Sequence, residues 1–269
     1  MLIQNFKCSI ERKCLPMNKA QRHSSIVENL SHEPSLRVIE LAKRYDVSSE
    51  TIRRDLSELA NRGLISRTYG GALRLISQEP ALSERQHLMV SERERIARAA
   101  VGMIEPDDIL MIGGGITTQS FASALALFKE PLTVITPSFG VATTLGQCEN
   151  IKVQVVPGEF NGKEGLVQGS DTTHTLAGFR ATKAILGASG ITAEGPSDAA
   201  IPASMIYQCM VERSLHTYIL ADNGKFGKAA LSSYSTWAPT LTLVTDSLPE
   251  APLNSAIEAA GTLIMLSPE

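Results

Sequence analysis

The sequence predicts two domains of different class. A small helical domain with a short β wing spans residues 19–75, and an α/β domain with a mostly parallel sheet spans residues 91–269. Three observations predict this. Three short stretches with helical apolar spacing precede two β-type segments around Gly70-Gly71. From Asp108 onward, continuous apolar runs alternate with helix-length stretches, the pattern of parallel strands covered on both faces. A length of 269 residues fits two domains at about 100–200 residues each.

Residues 1–18 form an extension outside this pattern. Met17 is the expected native start, and a basic arm that touches DNA is the alternative. The first helix covers about Lys19–Leu30, with Ile26, Val27 and Leu30 on one face, and Pro34 is expected to stop it. The second covers about Val38–Tyr45, with Val38, Leu41, Ala42 and Tyr45 at i, i+3, i+4 and i+7. Asp46-Val47 is a tight connection. The third runs from Ser48 to Arg62, with Gly63 as its C′ residue. The following LISRTYGGALRL reads as a hairpin turning at Gly70-Gly71. Together these are the parts of a winged helix-turn-helix. Residues 76–90, with Pro80, read as a linker into a helix at about Ser91–Met103. Strands are expected at 109–112, 132–136, 151–156, 184–188, 217–220 and 241–245. Helices are expected at Thr118–Phe128, Phe139–Gln147, Ala199–Arg213 and Leu253–Ala260.

Composition is that of a soluble globular chain, 43% hydrophobic and 20% charged. No apolar run reaches the ~20 residues of a membrane span, and no secretory leader is evident. The expected location is therefore the cytoplasm, with no membrane partner. Cys8, Cys14, Cys148 and Cys209 form no C-x-x-C pair, and the five histidines are scattered, so neither a metal nor a cofactor is expected. The net charge of −3 hides an asymmetry. Residues 1–75 hold 13 Lys/Arg against 8 Asp/Glu, net +5, and residues 76–269 hold 12 against 20, net −8. A basic head on an acidic body fits nucleic-acid binding by the head.

The chemistry of the head concentrates in DVSSETIRRDLSELANRGLI, residues 46–65. Ser48 is a good N-cap. Val47 and Ile52 occupy the staple positions at N′ and N4. Ile52, Leu56 and Leu59 share the inward face, which leaves Glu50, Arg54 and Ser57 opposite, with Thr51 and Arg53 on the flanks. Two adjacent outward arginines on a capped helix suit a major groove, where Arg bonds a guanine edge with two donors. Ser49 and Thr51 reach phosphates or bases. Arg67 in the wing, and Lys43 or Arg44 on the second helix, are candidate phosphate contacts. The competing reading is that Arg53 and Arg54 merely pair with Glu50, Asp55 or Glu58 on a solvated face.

The string LAKRYDVSSETIRRDLSELANRGLISRTYGGA (41–72) carries V-S-x-x-T-I-R-R-D-L and R-T-x-G-G-A. Residues 20–73 thereby resemble the DNA-binding domain of the DeoR family of bacterial sugar-metabolism regulators. The resemblance implies that Ser49, Thr51, Arg53 and Arg54 are recognition-helix contacts. One departure is Arg37, where the family usually has a small capping residue, and it implies a weaker cap for the second helix. The resemblance continues through residues 91–250 and implies a sensing domain similar in fold to ribose-5-phosphate isomerase, with a phosphorylated sugar as effector.

Several loops fit that implication. ILMIGGGITTQSFASAL (109–125) is a strand, a glycine-rich turn and a helix, where backbone N–H groups form an anion site. Gly113, Gly114 and Gly115 would approach the anion, and Thr117 and Thr118 add hydroxyls. VITPSFGVATTL (134–145) repeats the plan, with Thr136 and with Ser138 as helix cap. VVPGEF (155–160) adds Gly158, and ADNGKFG (221–227) adds Asp222 and Lys225. Strand C-terminal ends gather in one crevice, so these loops are expected to converge. Departures from the family pattern at Gly113–Ile116, Pro137 and Pro157-Gly158 leave fewer partners for sugar hydroxyls.

Two rival readings stand beside the regulator. The isomerase-like enzyme needs carboxylates in an Asp-Gly-Ala-Asp-Glu motif. The matching stretch here is Leu186-Gly187-Ala188-Ser189-Gly190, without the acids, so no enzyme activity is expected. The other rival is a DNA-binding protein that senses no ligand. The expected partners are double-stranded operator DNA, a phosphorylated sugar, and further copies of the chain in a homodimer or homotetramer that matches palindromic half-sites.

Overall fold

The computed structural model describes residues 18–32, 35–61, 65–68, 70–74 and 82–268. The expected helix stops at Pro34 and Gly63, the extension before Asn18, and residues 75–81 with Pro80 lie outside the described residues. The chain divides into two compact units, Met1–Leu75 and Ile76–Glu269.

The first unit contains α1 (Lys19–His32), β1 (Ser35–Arg37), α2 (Val38–Arg44), α3 (Ser49–Asn61), β2 (Ile65–Thr68) and β3 (Gly71–Arg74). The strand order is β1-β3-β2, antiparallel throughout. β1 has no counterpart in the sequence reading, because three residues are too few to show a period. Thr68 pairs with Gly71, so Gly71 is a strand residue and only Gly70 of the expected glycine pair lies in the turn. A Cβ on Gly71 would come within 2.0 Å of the Leu36 carbonyl oxygen, so β1 approaches β3 only where β3 begins with glycine.

Arg37 gives α2 no side-chain cap, and Glu40 instead accepts the Arg37 N–H at 3.3 Å. Asp46 bridges α2 and α3 at φ 51°, a conformation that short polar side chains tolerate. Ser48 Oγ accepts the Thr51 N–H at 3.0 Å, and Val47, expected as a staple partner of Ile52, packs against the core cluster to which Ile52 belongs. The head's core joins Ile26 and Leu30 of α1, Leu41 of α2, Ile52, Leu56 and Leu59 of α3, and Ile65 and Ala72 of the wing.

Asp55 turns into this core and is only 2% exposed. Arg22 grips it with Nε at 2.6 Å and Nη2 at 3.2 Å, and His23 Nε2 lies 3.0 Å away. Burial alone pushes the Asp55 carboxyl up, but the hydrogen bonds from Arg22 and His23 outweigh it and hold the group below the ordinary carboxylate range.

The second unit contains α4 (Leu82–Arg85), α5 (Val90–Val101), β4 (Ile109–Ile112), α6 (Ile116–Leu125), β5 (Leu132–Thr136), α7 (Phe139–Leu145), β6 (Ile151–Val155), β7 (Glu159–Asn161) and β8 (Leu166–Gln168). It continues with α8 (Ser170–Ala177), β9 (Ala181–Gly187), β10 (Gly190–Thr192), β11 (Gly195–Asp198), α9 (Ile201–Glu212), β12 (Ser214–Leu220), β13 (Ser232–Ser233), β14 (Leu241–Thr245), α10 (Leu253–Ala259) and β15 (Leu263–Leu266). A 3-10 turn at Asn223–Lys225 follows β12. Residues 82–89, expected as part of a linker, carry α4 and contacts to the body. Arg85 pairs with Glu164 through Nη2, and Arg93 of α5 donates to the carbonyls of Gln86, Leu88 and Met89.

Seven strands form one sheet, all parallel, in the order β15-β14-β12-β9-β4-β5-β6. Its two faces divide cleanly by the period of two. Leu110, Ile112, Ile185 and Leu220 pack with α5, α6 and α7, whereas Met111, Ala184, Leu186 and Ile219 pack with α8, α9 and α10. The small sheet β10-β11-β13 packs beside the second face, where Trp237 donates its indole N–H to the Thr192 carbonyl at 2.8 Å.

Asp55→Ala strands the Arg22 guanidinium inside the head and is expected to cost about 3–5 kcal/mol of its stability, read by denaturant unfolding at neutral pH. The native carboxylate's contribution is complete above the ordinary carboxylate pKa and lost as pH falls through its lowered folded value. Asp55→Asn should therefore flatten the acid limb of the stability curve.

Candidate functional site

Two surfaces carry the expected site residues, one in each unit. On the head, the inward set Ile52, Asp55, Leu56 and Leu59 leaves Glu50, Arg53 and Arg54 outside. The Arg53 side chain is 59% exposed and Arg54 77%, and each lies near Glu50, at 3.7 and 3.5 Å respectively. Pairs this open hold weakly. Asp55, one of the carboxylates that would have neutralised them on a solvated face, is instead committed inward to Arg22 and His23. Glu58 pairs with Lys19 at 2.7 Å.

The remaining head residues fall into place around this pair. The Thr51 hydroxyl lies 2.9 Å from that of Ser48, so both are partly occupied in the cap. Ser49 is half-buried on the first turn, and Lys43 and Arg44 are exposed on the last turn of α2. Ser57 Oγ donates to the Arg53 carbonyl at 2.7 Å and accepts from Arg67 Nη1 of the wing at 2.9 Å. Exposed cations thus stand on α2, α3 and the wing.

In the body, β4 is followed by β5 and β6 to one side, and the chain then returns to lay β9 against the other side of β4. Loops leaving β4 and β9 diverge at such a reversal and open a crevice. A cavity of about 830 Å³ lies there. Gly114, Gly115 and Thr117 line it after β4, Gly187 at the end of β9 with Ala188 and Ser189 beyond it, and Asp222 and Lys225 after β12. Gly115 holds φ 108° as it leads into α6, a turn that favours glycine. The first N–H groups of α6 have no acceptor within the helix.

Five expected residues do not line the cavity. Gly113 extends β4, its N–H bonded to the Ile185 carbonyl, beneath the Tyr207 ring. Thr118 turns inward and donates to the Gly115 carbonyl at 2.9 Å. Thr136 donates to the Ile112 carbonyl and accepts the Ser138 N–H, while Ser138 caps α7. The β7–β8 hairpin seals this second loop, with Gly165 and Val167 bonded to Phe139 and Pro137. Gly158 lies against Thr172, which donates to the Pro157 carbonyl.

The cavity also holds residues that the sequence reading lacks, among them Arg85, Arg93, Asn161, Lys163, Asp198, Tyr207 and Lys228. Arg93 was detectable in principle: it shares the apolar stripe of Ile96, Ala97 and Ala100 and is 4% exposed. Asp198 ends a short strand without period, and its carboxylate accepts the Ala200 N–H at 2.9 Å. Asn161 and Asp222 likewise add polar side chains to the lining of the cavity. Counted together, Arg85, Arg93, Lys163, Lys225 and Lys228 face three carboxylates, those of Glu164, Asp198 and Asp222. A cationic excess thus sits inside a body whose sequence is net acidic.

Asp222 is 6% exposed and caps the 3-10 turn by accepting the Gly224 N–H at 3.0 Å. Burial pushes its pKa up, and nearby Lys225 opposes this without cancelling it. The ionised group therefore subtracts from stability near neutral pH, and the penalty fades as pH falls into the range where the carboxyl is protonated. Asp222→Asn keeps the cap acceptor and is expected to raise the melting temperature of the ligand-free protein at neutral pH. That gain should shrink on acidification, as followed by thermal melts at several pH values.

Among the described residues no helix is long and apolar enough to cross a membrane. Residues 22–78 match the DeoR-like helix-turn-helix domain, and residues 89–247 match the DeoR C terminal sensor domain. The glycerol-3-phosphate regulon repressor of Escherichia coli (strain K12) is 32% identical over 87% of this chain and 93% of its own length. The lactose phosphotransferase system repressor of Lactococcus lactis subsp. lactis is 29% identical over 86% and 92%. Ribose 5 phosphate isomerase A from Neisseria gonorrhoeae aligns over 50% of this chain and 52% of that chain, at 18% identity and a TM-score of 0.38. The E. coli and L. lactis relatives are both named as repressors. With both a DNA-binding head and a sensor body matched, the chain belongs to the DeoR family of transcriptional regulators.

Proposed function

We propose that the chain represses a carbohydrate operon in the cytoplasm, as a homo-oligomer that binds double-stranded operator DNA and is controlled by a phosphorylated sugar. The cationic excess in the 830 Å³ cavity at the strand-order reversal carries this reading. An anion is favoured there by Lys225, Lys228 and the α6 N-terminus, and hydroxyls by Asn161, Asp198 and Asp222. The E. coli relative is named for a glycerol-3-phosphate regulon and the L. lactis relative for a lactose phosphotransferase system, which supports a carbohydrate-linked, phosphorylated effector.

In the head, α3 enters the major groove by its N-terminal half, and Arg53 and Arg54 read base edges. Ser48, Ser49, Glu50 and Thr51 lie at the groove entrance, and Lys43 and Arg67 hold phosphates. A ligand that prefers one arrangement of the heads shifts operator affinity by its differential affinity and no more. Two heads related by two-fold symmetry match a palindromic operator.

Arg54→Ala should weaken binding to a selected operator duplex by about 1–3 kcal/mol, measured by fluorescence anisotropy. Unchanged affinity would remove α3 from the groove. Lys225→Ala should bind the same duplex as the wild type does, yet no longer respond to the phosphosugar that acts on the wild type in a panel of such compounds. A wild-type chain indifferent to every member of the panel would favour a regulator that senses no sugar phosphate.

A further inference from the structure

We infer that Ser57 is a positioning residue, which aims the wing's Arg67 along the recognition helix rather than touching DNA itself. This rests on the DNA-binding reading of α3 given above. A serine hydroxyl has one hydrogen to give and two lone pairs. Ser57 gives its hydrogen to the Arg53 carbonyl at 2.7 Å. Phosphate oxygens only accept, so Ser57 has no donor left for the DNA backbone while that bond stands. What it still offers are lone pairs, one of which accepts from Arg67 Nη1 at 2.9 Å.

The consequence falls on Arg67. Its backbone is fixed by the β2–β3 ladder, where it pairs with Ala72, and its far end is fixed by Ser57. A guanidinium has five N–H donors, and this bond uses one. The rest of an exposed, charged group is thus held in place before DNA arrives, which lowers the ordering cost of docking. The chain of bonds from Arg67 through Ser57 ends on the carbonyl of Arg53, the residue beside Arg54. Wing cation and recognition-helix cations are set in one register by a single hydroxyl.

The test uses the full chain and a DNA duplex that the wild type has selected from a random-sequence pool. Affinity is read by fluorescence anisotropy over a salt series, and thermal melts confirm that each variant is folded. Ser57→Ala should weaken binding about three- to tenfold, and Ser57→Thr, which keeps the hydroxyl, should restore it. Arg67→Ala should weaken binding and reduce the slope of log affinity against log salt by about 0.9, one phosphate contact. The double variant should bind no worse than Arg67→Ala alone. An equal loss from Ser57→Ala with and without Arg67 would make Ser57 a direct contact and overturn the proposal. So would wild-type affinity in either single variant. Arg54→Ala separates the two levels: if it leaves affinity unchanged, the DNA-facing role of α3 fails, whatever Ser57 does.

Discussion

A parallel sheet covered on both faces has little surface left for chemistry apart from the ends of its strands. The seven-stranded sheet obeys this constraint strictly, with alternate residues of β4, β9 and β12 committed to opposite cores. Where the strand order reverses, between β4 and β9, the departing loops leave an opening that helices cannot fill. The 830 Å³ cavity lies at that opening, and among its lining the small residues Gly114, Gly115, Gly187 and Ala188 leave space that larger side chains would fill. The wall on one side comes from the α4–α5 segment, locked down by Arg93 on three carbonyls.

Charge is distributed against the average in both units. The body is acidic by sequence but gathers cations around its cavity, and it tolerates a buried Asp222 whose ionised form is penalised by desolvation. Groups kept at a cost to stability are common at functional sites. The head is basic by sequence but buries a carboxylate, Asp55, among Leu56, Ile52 and α1. That burial withdraws a negative charge from the face where Arg53 and Arg54 stand. An apolar residue would fill the same space without desolvating an ion pair, but Arg22 and His23 give Asp55 a directional bond network that an oily contact lacks.

Much of this was legible in the sequence, because the strongest local patterns coincide with the strongest burial. The periodic stretches of α2 and α3, the cap at Ser48, the packing of Val47 and Ile52, and the six apolar strand runs all lie where an element meets a core on one face or on both. What escaped the reading was mostly short or polar, together with the apolar edge strand β15. β1 and the hairpin β7–β8 have three residues per strand, and α8, SDTTHTLA, lacks an apolar stripe. The cavity was half legible for a related reason. Loops following strands are easy to locate, but whether they reach the opening depends on what lies over them. Thr136 and Ser138 are sealed off by a hairpin that no local pattern announces, while Asp198 and Lys228 arrive from the small β10-β11-β13 sheet and its neighbourhood.

Trp237 is the chain's single tryptophan, and it is buried in the body with its indole nitrogen bonded to Thr192. The protein therefore has a built-in optical label that sees only the larger unit. Its emission follows loss of structure in that unit without interference from the head, which has no indole of its own. Far-ultraviolet dichroism, by contrast, adds the helices of both. Differences between the two signals resolve whether the units melt as one cooperative block or in succession.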